Sequence, residues 1–266
     1  MSAVLQAGNE SVLLRQDAGG IATITLNRPK QYNALSEELL SELQSSLDSI
    51  EKDPSVRVVV IAGNGTAFCA GHDLKQMRAN PRKAYYQKLF AQCSKVMLTL
   101  TRLPQPVIAR VHGIATAAGC QLVAQCDLAV ASDNARFAVS GINVALFCST
   151  PSVPLARNIS RKQAMEMLMT GDFIDAATAK ARGLVNRVVP AERLDAEVRA
   201  LADAIIAKSP VAVTTGKKMF YKQVEMGMDA AYEYAAEVMA CNMMAEDVGE
   251  GIDAFTQKRP PNWKGK

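Results

Sequence analysis

Short runs of aliphatic residues alternate with segments of helical periodicity along most of this chain, and this alternation restricts the fold more than any other feature. The runs VRVVVIAG, VIARVHGIA and DLAVAS are short, apolar and rich in β-branched residues, as buried strands are. Around them lie segments such as EELLSELQSSLDSIEKD, in which leucines recur at helical spacing after the capping residue Ser36. The alternation predicts an α/β fold with crossover connections as far as about residue 190.

Turn and helix-stop signals predict the limits of several elements. Gly19 and Gly20 separate two strand-like runs and predict a hairpin. A helix is expected from about residue 81 to 102, and two further helices are expected to end at Gly171 and Gly183. We expect NGTAFCAGHD to be a loop, VIARVHGIA a single buried strand and CQLVAQC a short helix.

The last part of the chain has a different pattern. From Ala191 onward the periodicity is almost purely helical, and it includes the long Met-rich segment MGMDAAYEYAAEVMACNMMAE. Methionine side chains adapt to irregular apolar surfaces. We therefore expect this segment to pack against another helix or a neighbouring subunit rather than to bind a cofactor.

Composition excludes several functional classes. The chain has 266 residues, 49% of them hydrophobic, which is enough for one large domain or one domain with an appendage. Its net charge of +4 is spread along the chain, and aromatic residues make up only 5%. Without a basic run interleaved with aromatics, a nucleic-acid partner is not expected. No segment reaches 18 uninterrupted apolar residues, so no membrane span is expected.

Cysteine use and the first residues suggest a compartment. The sequence has no C-x-x-C pair, and we expect its cysteines to be small buried apolar residues without disulfides; they are Cys69, Cys93, Cys120, Cys126, Cys148 and Cys241. The opening residues MSAVLQAGNESVLL form neither a secretory signal nor an Arg-rich amphipathic presequence. We therefore expect a cytoplasmic protein.

Two loops rich in small residues each follow a predicted buried strand: FCAGHDLKQM and HGIATAAGCQL. Loops that lead from a strand into a helix present free backbone N–H groups. Two such loops side by side can direct two N–H groups at one oxygen atom, which is the arrangement of an oxyanion hole. Small residues would allow a ligand to approach, although they also allow helices to pack closely on strands.

Several blocks of the sequence together resemble one family. The blocks ITLNRPKQYNAL, AFCAGHDLK, PVIARVHGIATAAGCQLVAQCDLAVAS, ARFAVSGINVALFCSTPSVPLAR, GLVNRVVP and EGIDAFTQKRPPNW are similar, in order and over nearly the whole chain, to the enoyl-CoA hydratase/isomerase (crotonase) family. They are most similar to its enoyl-CoA hydratase domain-containing subgroup, whose loops read SGHDLK and GLFCSTP.

The resemblance implies a fold and a ligand class. The expected fold is a crotonase-like spiral of β-β-α units over residues 1–198, followed by a C-terminal helical trimerisation region over residues 199–266. The expected assembly is a homotrimer or a dimer of trimers. The ligands would be acyl-CoA thioesters, with coenzyme A as part of the substrate and neither another cofactor nor a metal.

The resemblance also assigns site residues. The oxyanion-hole N–H groups fall on His72 and Ala118. The coenzyme A contacts fall on Gln31, Tyr32, Ala70, His72, Asp73, Leu74 and Lys75, and on Phe255 and Lys258 of the tail, possible contacts from a neighbouring subunit. Phe147 and Cys148 fall on the acyl pocket.

The sequence departs from the family pattern at both glutamates that hydratases use to place water and move protons. Gln121 stands at the first of these positions and Gly141 at the second. A glutamine amide can hold a water molecule but cannot exchange a proton near pH 7, and a glycine can do neither. Gln121 is thus interpreted either as a remaining water-holding group or as an amide that braces the loop.

Four other residues are candidates to replace the glutamates. His72 could act as a general base, although its expected contribution is a backbone N–H. We expect His112 to have a structural role, Asp73 to cap the next helix and Cys148 to form a pocket wall. Two functions remain open: an enzyme of the hydratase/isomerase type or a related decarboxylase or thioesterase, and an acyl-CoA binding or regulatory protein without efficient catalysis.

Overall fold

The computed structural model describes residues 11–266, and its strands form two sheets. The larger sheet has six strands, in the spatial order β1, β2, β3, β5, β7, β10. They are β1 Leu13–Ala18, β2 Ile21–Leu26, β3 Val58–Gly63, β5 Val107–Val111, β7 Leu128–Ser132 and β10 Arg187–Val189. The smaller sheet has four strands in sequence order: β4 Ala67–Cys69, β6 Ile114–Thr116, β8 Arg136–Ala138 and β9 Ile174–Asp175.

Eleven α-helices connect and cover these strands in the described residues. The first seven are α1 Glu37–Glu51, α2 Leu74–Ala79, α3 Lys83–Arg102, α4 Ala118–Gln125, α5 Ser149–Asn158, α6 Arg161–Thr170 and α7 Ala176–Arg182. The last four are α8 Leu194–Ile206, α9 Pro210–Gln223, α10 Met228–Met243 and α11 Glu246–Thr256. Short 3₁₀ turns lie at Pro29–Gln31, Ser140–Val144 and Ala191–Arg193.

The chain passes repeatedly from the larger sheet to the smaller one and then into helices. Strands β3, β5 and β7 lie side by side and parallel in the larger sheet. Each is followed directly by a short strand, and these short strands β4, β6 and β8 lie parallel in the smaller sheet. The predicted α/β spiral of β-β-α units with a helical C-terminal region is therefore confirmed. The division at residues 198 and 199 stays a prediction.

The main core lies between one face of the larger sheet and helices α1, α3 and α4. The side chains that α1 contributes to it have no exposed surface, among them Leu39, Leu43 and Leu47. A smaller core covers the other face, where Leu194 and Val198 of α8 pack on the strands. Burial of these aliphatic faces stabilises the packing of β3, β5 and β7. The two small-residue loops follow the ends of β3 and β5.

Two predicted elements were wrong. VIARVHGIA is two strands in different sheets, because the chain turns at Gly113, where a Cβ atom would overlap the Thr66 carbonyl oxygen. The predicted loop NGTAFCAGHD contains β4. The helix expected from about residue 81 to 102 is observed as Lys83–Arg102, and the helix expected after Asp73 is observed as α2.

The C-terminal helices expose an unusual amount of apolar surface. Neither α9 nor α10 contains a fully buried residue in the described chain, and on α10 Met228, Tyr232 and Met239 are more than 70% exposed. Helix α9 is nevertheless fixed to the core, because the Lys217 ammonium donates to Asp127 over 2.7 Å. Among the described residues no helix is both long and apolar enough to cross a membrane.

The cysteine prediction is confirmed for five of the six residues. All six are free, and only Cys241 on α10 is exposed. Burial raises the pKa of the Cys69 thiol to about 12, which keeps it protonated and apolar at neutral pH. The prediction fails for Cys241 because α10 lies at the surface of the single chain.

Candidate functional site

The two small-residue loops meet at the ends of β4 and β6. Gly71 has φ +92°, and a Cβ atom there would lie 2.9 Å from the Ala117 Cβ and 3.1 Å from the Ala118 nitrogen. A Cβ atom at Gly119 would overlap the Cys69 carbonyl oxygen. The small residues therefore allow one loop backbone to pass against the other, which brings the residues after Gly71 and Ala117 close together.

Two backbone N–H groups at this junction have no acceptor among the described residues. They belong to His72 and to Ala118, the first residue of α4. Leu35 forms backbone hydrogen bonds with the residues on either side of His72 and leaves the His72 N–H free. The preceding Ala117 has φ 51° and ψ −121°, a conformation that costs energy for any residue with a Cβ atom. Free N–H donors on a strained strand-to-helix turn have the features expected of an oxyanion hole.

A cavity of about 210 Å³ opens beside this junction. Its walls come from α2, α3, the start of α4 and the segment from β8 to α5. They are mainly apolar, and the lining residues are Ala70, His72, Leu74, Met77, Phe90, Ala117, Ala118, Ser140, Gly141, Val144, Leu146, Phe147, Cys148, Ser149, Thr150 and Pro151. No Asp, Glu, Lys or Arg belongs to this described lining, so its only ionisable side chains are those of His72 and Cys148.

His72 contributes its ring as well as its backbone to the cavity wall. The ring meets Phe90 edge-on with centroids 5.3 Å apart, and its Nε2 atom is buried without a hydrogen-bond partner in the described chain. Burial lowers the pKa of His72 to about 4, because a charged imidazolium would lose its hydration there. The imidazole is therefore neutral at physiological pH.

The protein is expected to lose stability between pH 6.5 and pH 4 because of His72. The pKa of His72 is about 4 in the folded chain against 6.5 for a free imidazole, so within that window only the unfolded chain takes up the proton. One such proton lowers the free energy of unfolding by about 1.4 kcal/mol per pH unit. Urea denaturation of wild type and His72→Phe across this range checks it. Parallel pH profiles for the two proteins would contradict the assignment.

Gln121 and Gly141, the positions that the resemblance matches to the two glutamates, have different surroundings. Gln121 on α4 is 4% exposed, and its Oε1 atom has no hydrogen-bond partner among the described residues. The N–H of Gly141 donates to the Cys148 Sγ over 3.3 Å. A Cβ atom at Gly141 would lie 2.8 Å from that sulfur and would overlap the Leu146 carbonyl oxygen. The first position therefore carries an unpaired amide, and the second has no room for a side chain.

Three side chains considered as alternatives have the predicted structural roles. Asp73 caps α2 by accepting from the N–H groups of Lys75 and Gln76. Burial opposes its ionisation, but these N–H groups and the Arg28 guanidinium hold its pKa below the usual range. His112 forms a hydrogen bond of 2.9 Å with the Gly65 carbonyl oxygen and lies outside the cavity. Cys148 forms part of the cavity wall, and burial raises the pKa of its thiol.

The expected coenzyme A contacts fall into two groups. Gln31 and Tyr32 are exposed beside the cavity, where the Tyr32 carbonyl oxygen accepts from the Ala70 N–H over 2.9 Å, and Leu74 and Lys75 are exposed at the start of α2. The tail residues Phe255 and Lys258 do not line the cavity. Phe255 is 87% exposed and borders a separate groove beside Trp263. Within one chain the tail is thus not brought to the cavity.

Sequence reasoning missed several cavity walls. Met77 and Phe90 lie on α2 and α3, and Val144 and Leu146 lie in the turn after β8. Phe90 is one apolar residue among many on an amphipathic helix, so its spacing gives no signal that it lines a site. Val144 and Leu146 are 60% and 44% exposed, and this unusual exposure is visible only in the structure.

Comparison with known proteins places the chain among crotonase-type sequences. A family model described as "Enoyl-CoA hydratase/isomerase" matches residues 16–266. "Enoyl-CoA hydratase domain-containing protein 3, mitochondrial" of Xenopus laevis is 47% identical over 248 residues, which cover 93% of this chain and 84% of the relative. The protein of the same name from Homo sapiens is 46% identical over 244 residues, which cover 92% of this chain and 80% of the relative.

Solved structures agree with this comparison. An enoyl-CoA hydratase of Mycobacterium smegmatis has a TM-score of 0.94 and 58% identity, with 96% of this chain and 99% of the other covered. The human enoyl-coenzyme A hydratase domain-containing protein 3 has a TM-score of 0.92 and 44% identity, with 95% of this chain and 100% of the other covered.

The comparison corrects the expected compartment. Five vertebrate relatives that are 41–47% identical to this chain are all named mitochondrial. The expectation of a cytoplasmic protein is therefore wrong. It depended on the first fourteen residues, of which residues 1–10 lie outside the described part of the chain. The composition of a short terminal segment is a weaker indicator of compartment than relatedness over the folded domain.

Proposed function

The chain belongs to the enoyl-CoA hydratase/isomerase family, and we propose that it binds an acyl-CoA thioester with the thioester oxygen between the N–H groups of His72 and Ala118. The observation that carries the proposal is the pair of acceptor-free N–H groups at the junction of the two loops, beside an apolar cavity. Backbone donors held in place before the ligand arrives stabilise negative charge on that oxygen without further reorganisation.

The surroundings of the junction support this placement. The apolar walls, among them Phe90, Leu146 and Phe147, suit an acyl chain and exclude water. Tyr32 and Lys75 lie exposed near the cavity, where an extended coenzyme A would pass. Withdrawal of charge towards the two N–H groups acidifies C2 of the acyl chain and activates a conjugated double bond. The protein is thus suited to form or stabilise a thioester enolate.

The proton-transfer part of hydratase chemistry has less support. No carboxylate lines the described cavity, and the His72 imidazole is neutral with a pKa of about 4, which makes it a weak base. These observations favour a second candidate function, an acyl-CoA binding or regulatory protein without efficient catalysis. A decarboxylase or thioesterase reaction of the same family is a further candidate, because the proposed oxyanion hole would stabilise the negative charge that develops on the thioester oxygen in either reaction.

Acyl-CoA esters are expected to raise the melting temperature of the protein. A ligand that binds only the folded state stabilises it by about 2.7 kcal/mol at a hundredfold excess over its Kd. Differential scanning fluorimetry with acyl-CoA esters of graded chain length, and with free coenzyme A, measures this shift. The matched control is Ala118→Pro, which removes one proposed donor. A panel without any shift would refute the assigned ligand class.

We further propose a homotrimer or a dimer of trimers, in which α10 is covered by a neighbouring subunit. The argument is the absence of buried residues on this 16-residue helix in the described single chain, together with its exposed methionines. Light scattering after size exclusion is expected to give three or six chain masses. Met239→Glu on the exposed face should shift the assembly towards single chains, and a monomeric wild type would contradict the proposal.

A further inference from the structure

The peptide group that joins Gly71 to His72 has a fixed orientation. Its carbonyl oxygen accepts from the Leu35 N–H over 2.7 Å, and the next N–H, that of Asp73, donates to the Leu35 carbonyl oxygen over 3.2 Å. The C=O and N–H of a trans peptide group point in opposite directions, and the described chain has no cis peptide bond. The His72 N–H therefore points away from Leu35, and its direction depends on the bond between Gly71 and Leu35.

The peptide group that joins Ala34 to Leu35 is held by Arg28. The Arg28 Nη1 group donates to the Ala34 carbonyl oxygen, which also accepts from the Ser36 N–H over 3.0 Å. The N–H of this same peptide group is the one that donates to Gly71. Arg28 is thus the first donor of a hydrogen-bonded chain that passes through two peptide groups and ends at the proposed oxyanion donor.

The direction of this chain determines its electrostatic effect. A donor that binds a peptide oxygen polarises the peptide group and makes its N–H a stronger donor, and successive bonds strengthen one another by about 10–30% each. A guanidinium group is permanently charged and forms stronger hydrogen bonds than a neutral donor. The chain begins at this positive charge and ends at an N–H that has no acceptor among the described residues. It therefore strengthens a donor at the point where negative charge would develop.

The surroundings hold the Arg28 side chain in place. Its Nη2 group donates to the Asp73 carboxylate over 2.9 Å, and both side chains are only 16% exposed. The backbone N–H of Arg28 donates to the side chain of the buried Asn33, whose amide donates to the carbonyl oxygens of Asn64 and Ala67 over 2.8 Å each. Arg28 also balances the charge of the Asp73 carboxylate, which follows the proposed donor directly in the chain and would otherwise oppose a nearby oxyanion.

We propose that Arg28 is a positioning residue that orients and polarises the His72 N–H through two peptide groups. Arg28 does not line the described cavity, so this role needs no contact with a ligand. The inference rests on the proposed acyl-CoA site and its oxyanion hole, and it adds a residue from the turn NRPKQYNAL to them.

The first test is infrared spectroscopy of bound butyryl-CoA that carries ¹³C at the thioester carbonyl, recorded at saturation. We expect binding to wild type to lower the carbonyl stretching frequency, because N–H donors polarise the C=O bond. Arg28→Met and Arg28→Gln should each lose at least about a quarter of this shift, given the cooperativity of such chains. Arg28→Lys keeps the charge and should retain more of the shift than Arg28→Gln. If Arg28→Met does not fold, the comparison of Arg28→Lys with Arg28→Gln decides, and equal losses would refute the polarising role.

The matched control is Arg182→Met. The Arg182 side chain is 17% exposed, forms an ion pair of 2.7 Å with Glu166 and does not line the described cavity. This variant should keep the full wild-type shift. A shift that stays complete in Arg28→Met, or that falls equally in Arg182→Met, would overturn the positioning role while the oxyanion hole stands.

Wild type itself separates the inference from the function on which it rests. If butyryl-CoA does not bind to wild type, the proposed function is wrong and the inference falls with it. If the ester binds with an unchanged carbonyl frequency, the ligand class stands, but the oxyanion hole and the role of Arg28 are both wrong.

A second test needs no ligand and follows amide hydrogen exchange by NMR. In Arg28→Met the Leu35 N–H should exchange about tenfold faster or more, since hydrogen bonds to charged groups contribute that much to local stability. The Val60 N–H in the central strand β3 is the reference and should exchange at the wild-type rate. Equal acceleration at both amides would mean that Arg28 only stabilises the fold, and an unchanged Leu35 would mean that Arg28 does not hold this peptide group.

Discussion

Crotonyl-CoA is expected to be hydrated at least ~1000-fold more slowly by this protein than by a family member that carries both glutamates. A positioned general acid or base contributes about 10²–10⁴-fold to a reaction rate. The two positions that the resemblance assigns to these groups hold an amide and a glycine, and the cavity offers only a neutral imidazole and a thiol with a raised pKa. Residual activity is expected, since an oxyanion hole and substrate binding accelerate reactions by themselves.

The measurement is the initial rate of loss of the enoyl thioester absorbance under identical conditions for the two proteins. Binding of crotonyl-CoA must be shown separately, so that a slow rate reports chemistry rather than an empty site. A rate typical of a two-glutamate enzyme would mean that another residue carries the proton. His72→Phe and Cys148→Ala would then identify it, and the interpretation of the cavity as lacking an effective acid and base would be wrong.

Replacement of Ala118 by proline is expected to lower turnover of any thioester substrate that reacts through an enolate by on the order of 100-fold or more. Proline lacks the backbone N–H, and loss of a single donor from an oxyanion hole has a cost of this size. Ala118 is the first residue of α4, a position where proline is compatible with a helix. The substitution removes the proposed donor but also acts on Ala117, whose φ of 51° and ψ of −121° lie outside the extended range that proline favours in the residue before it, so an intact fold must be shown.

The matched control is Arg161→Pro. Arg161 is the exposed first residue of α6, after the capping residue Ser160, and it lies outside the cavity. Both variants must retain the circular dichroism and the melting behaviour of wild type. If both variants turn over the substrate at the wild-type rate, the oxyanion hole lies elsewhere. A loss in Ala118→Pro alone would support the assignment of this N–H.

The sequence predicts well those strands and helices that are determined by residues adjacent in the chain. The strands β3 and β7 are continuous apolar runs, and α1 begins where the Ser36 hydroxyl accepts from the Leu39 N–H. The three-residue strands β4 and β6 were missed, because they pair with each other across more than forty residues of chain and so short a segment shows no periodicity. Tertiary contacts, rather than local propensity, define these strands.

The candidate site also has parts that the sequence predicts and parts that only the structure shows. The two loops could be found from the sequence, because close backbone contact requires small residues such as Gly71 and Gly119. The lack of partners for His72 Nε2 and Gln121 Oε1 could not be found, since it depends on every neighbour in space. The position of Leu146, which closes the space beside Gly141, likewise follows from the path of a turn that has no distinctive pattern.

The crowding around Gly141 restricts how this protein could evolve. Even an alanine there would meet the Leu146 carbonyl oxygen and the Cys148 sulfur, so a glutamate at this position requires the turn from Gly141 to Cys148 to shift. The chain between these residues would have to be rebuilt first, and intermediates on that route would carry the cost of overpacking without any catalytic benefit. If an ancestor had both carboxylates, its descendants with this turn are separated from that ancestor by a fitness barrier, and selection would more readily find new uses for the existing cavity than restore the old chemistry.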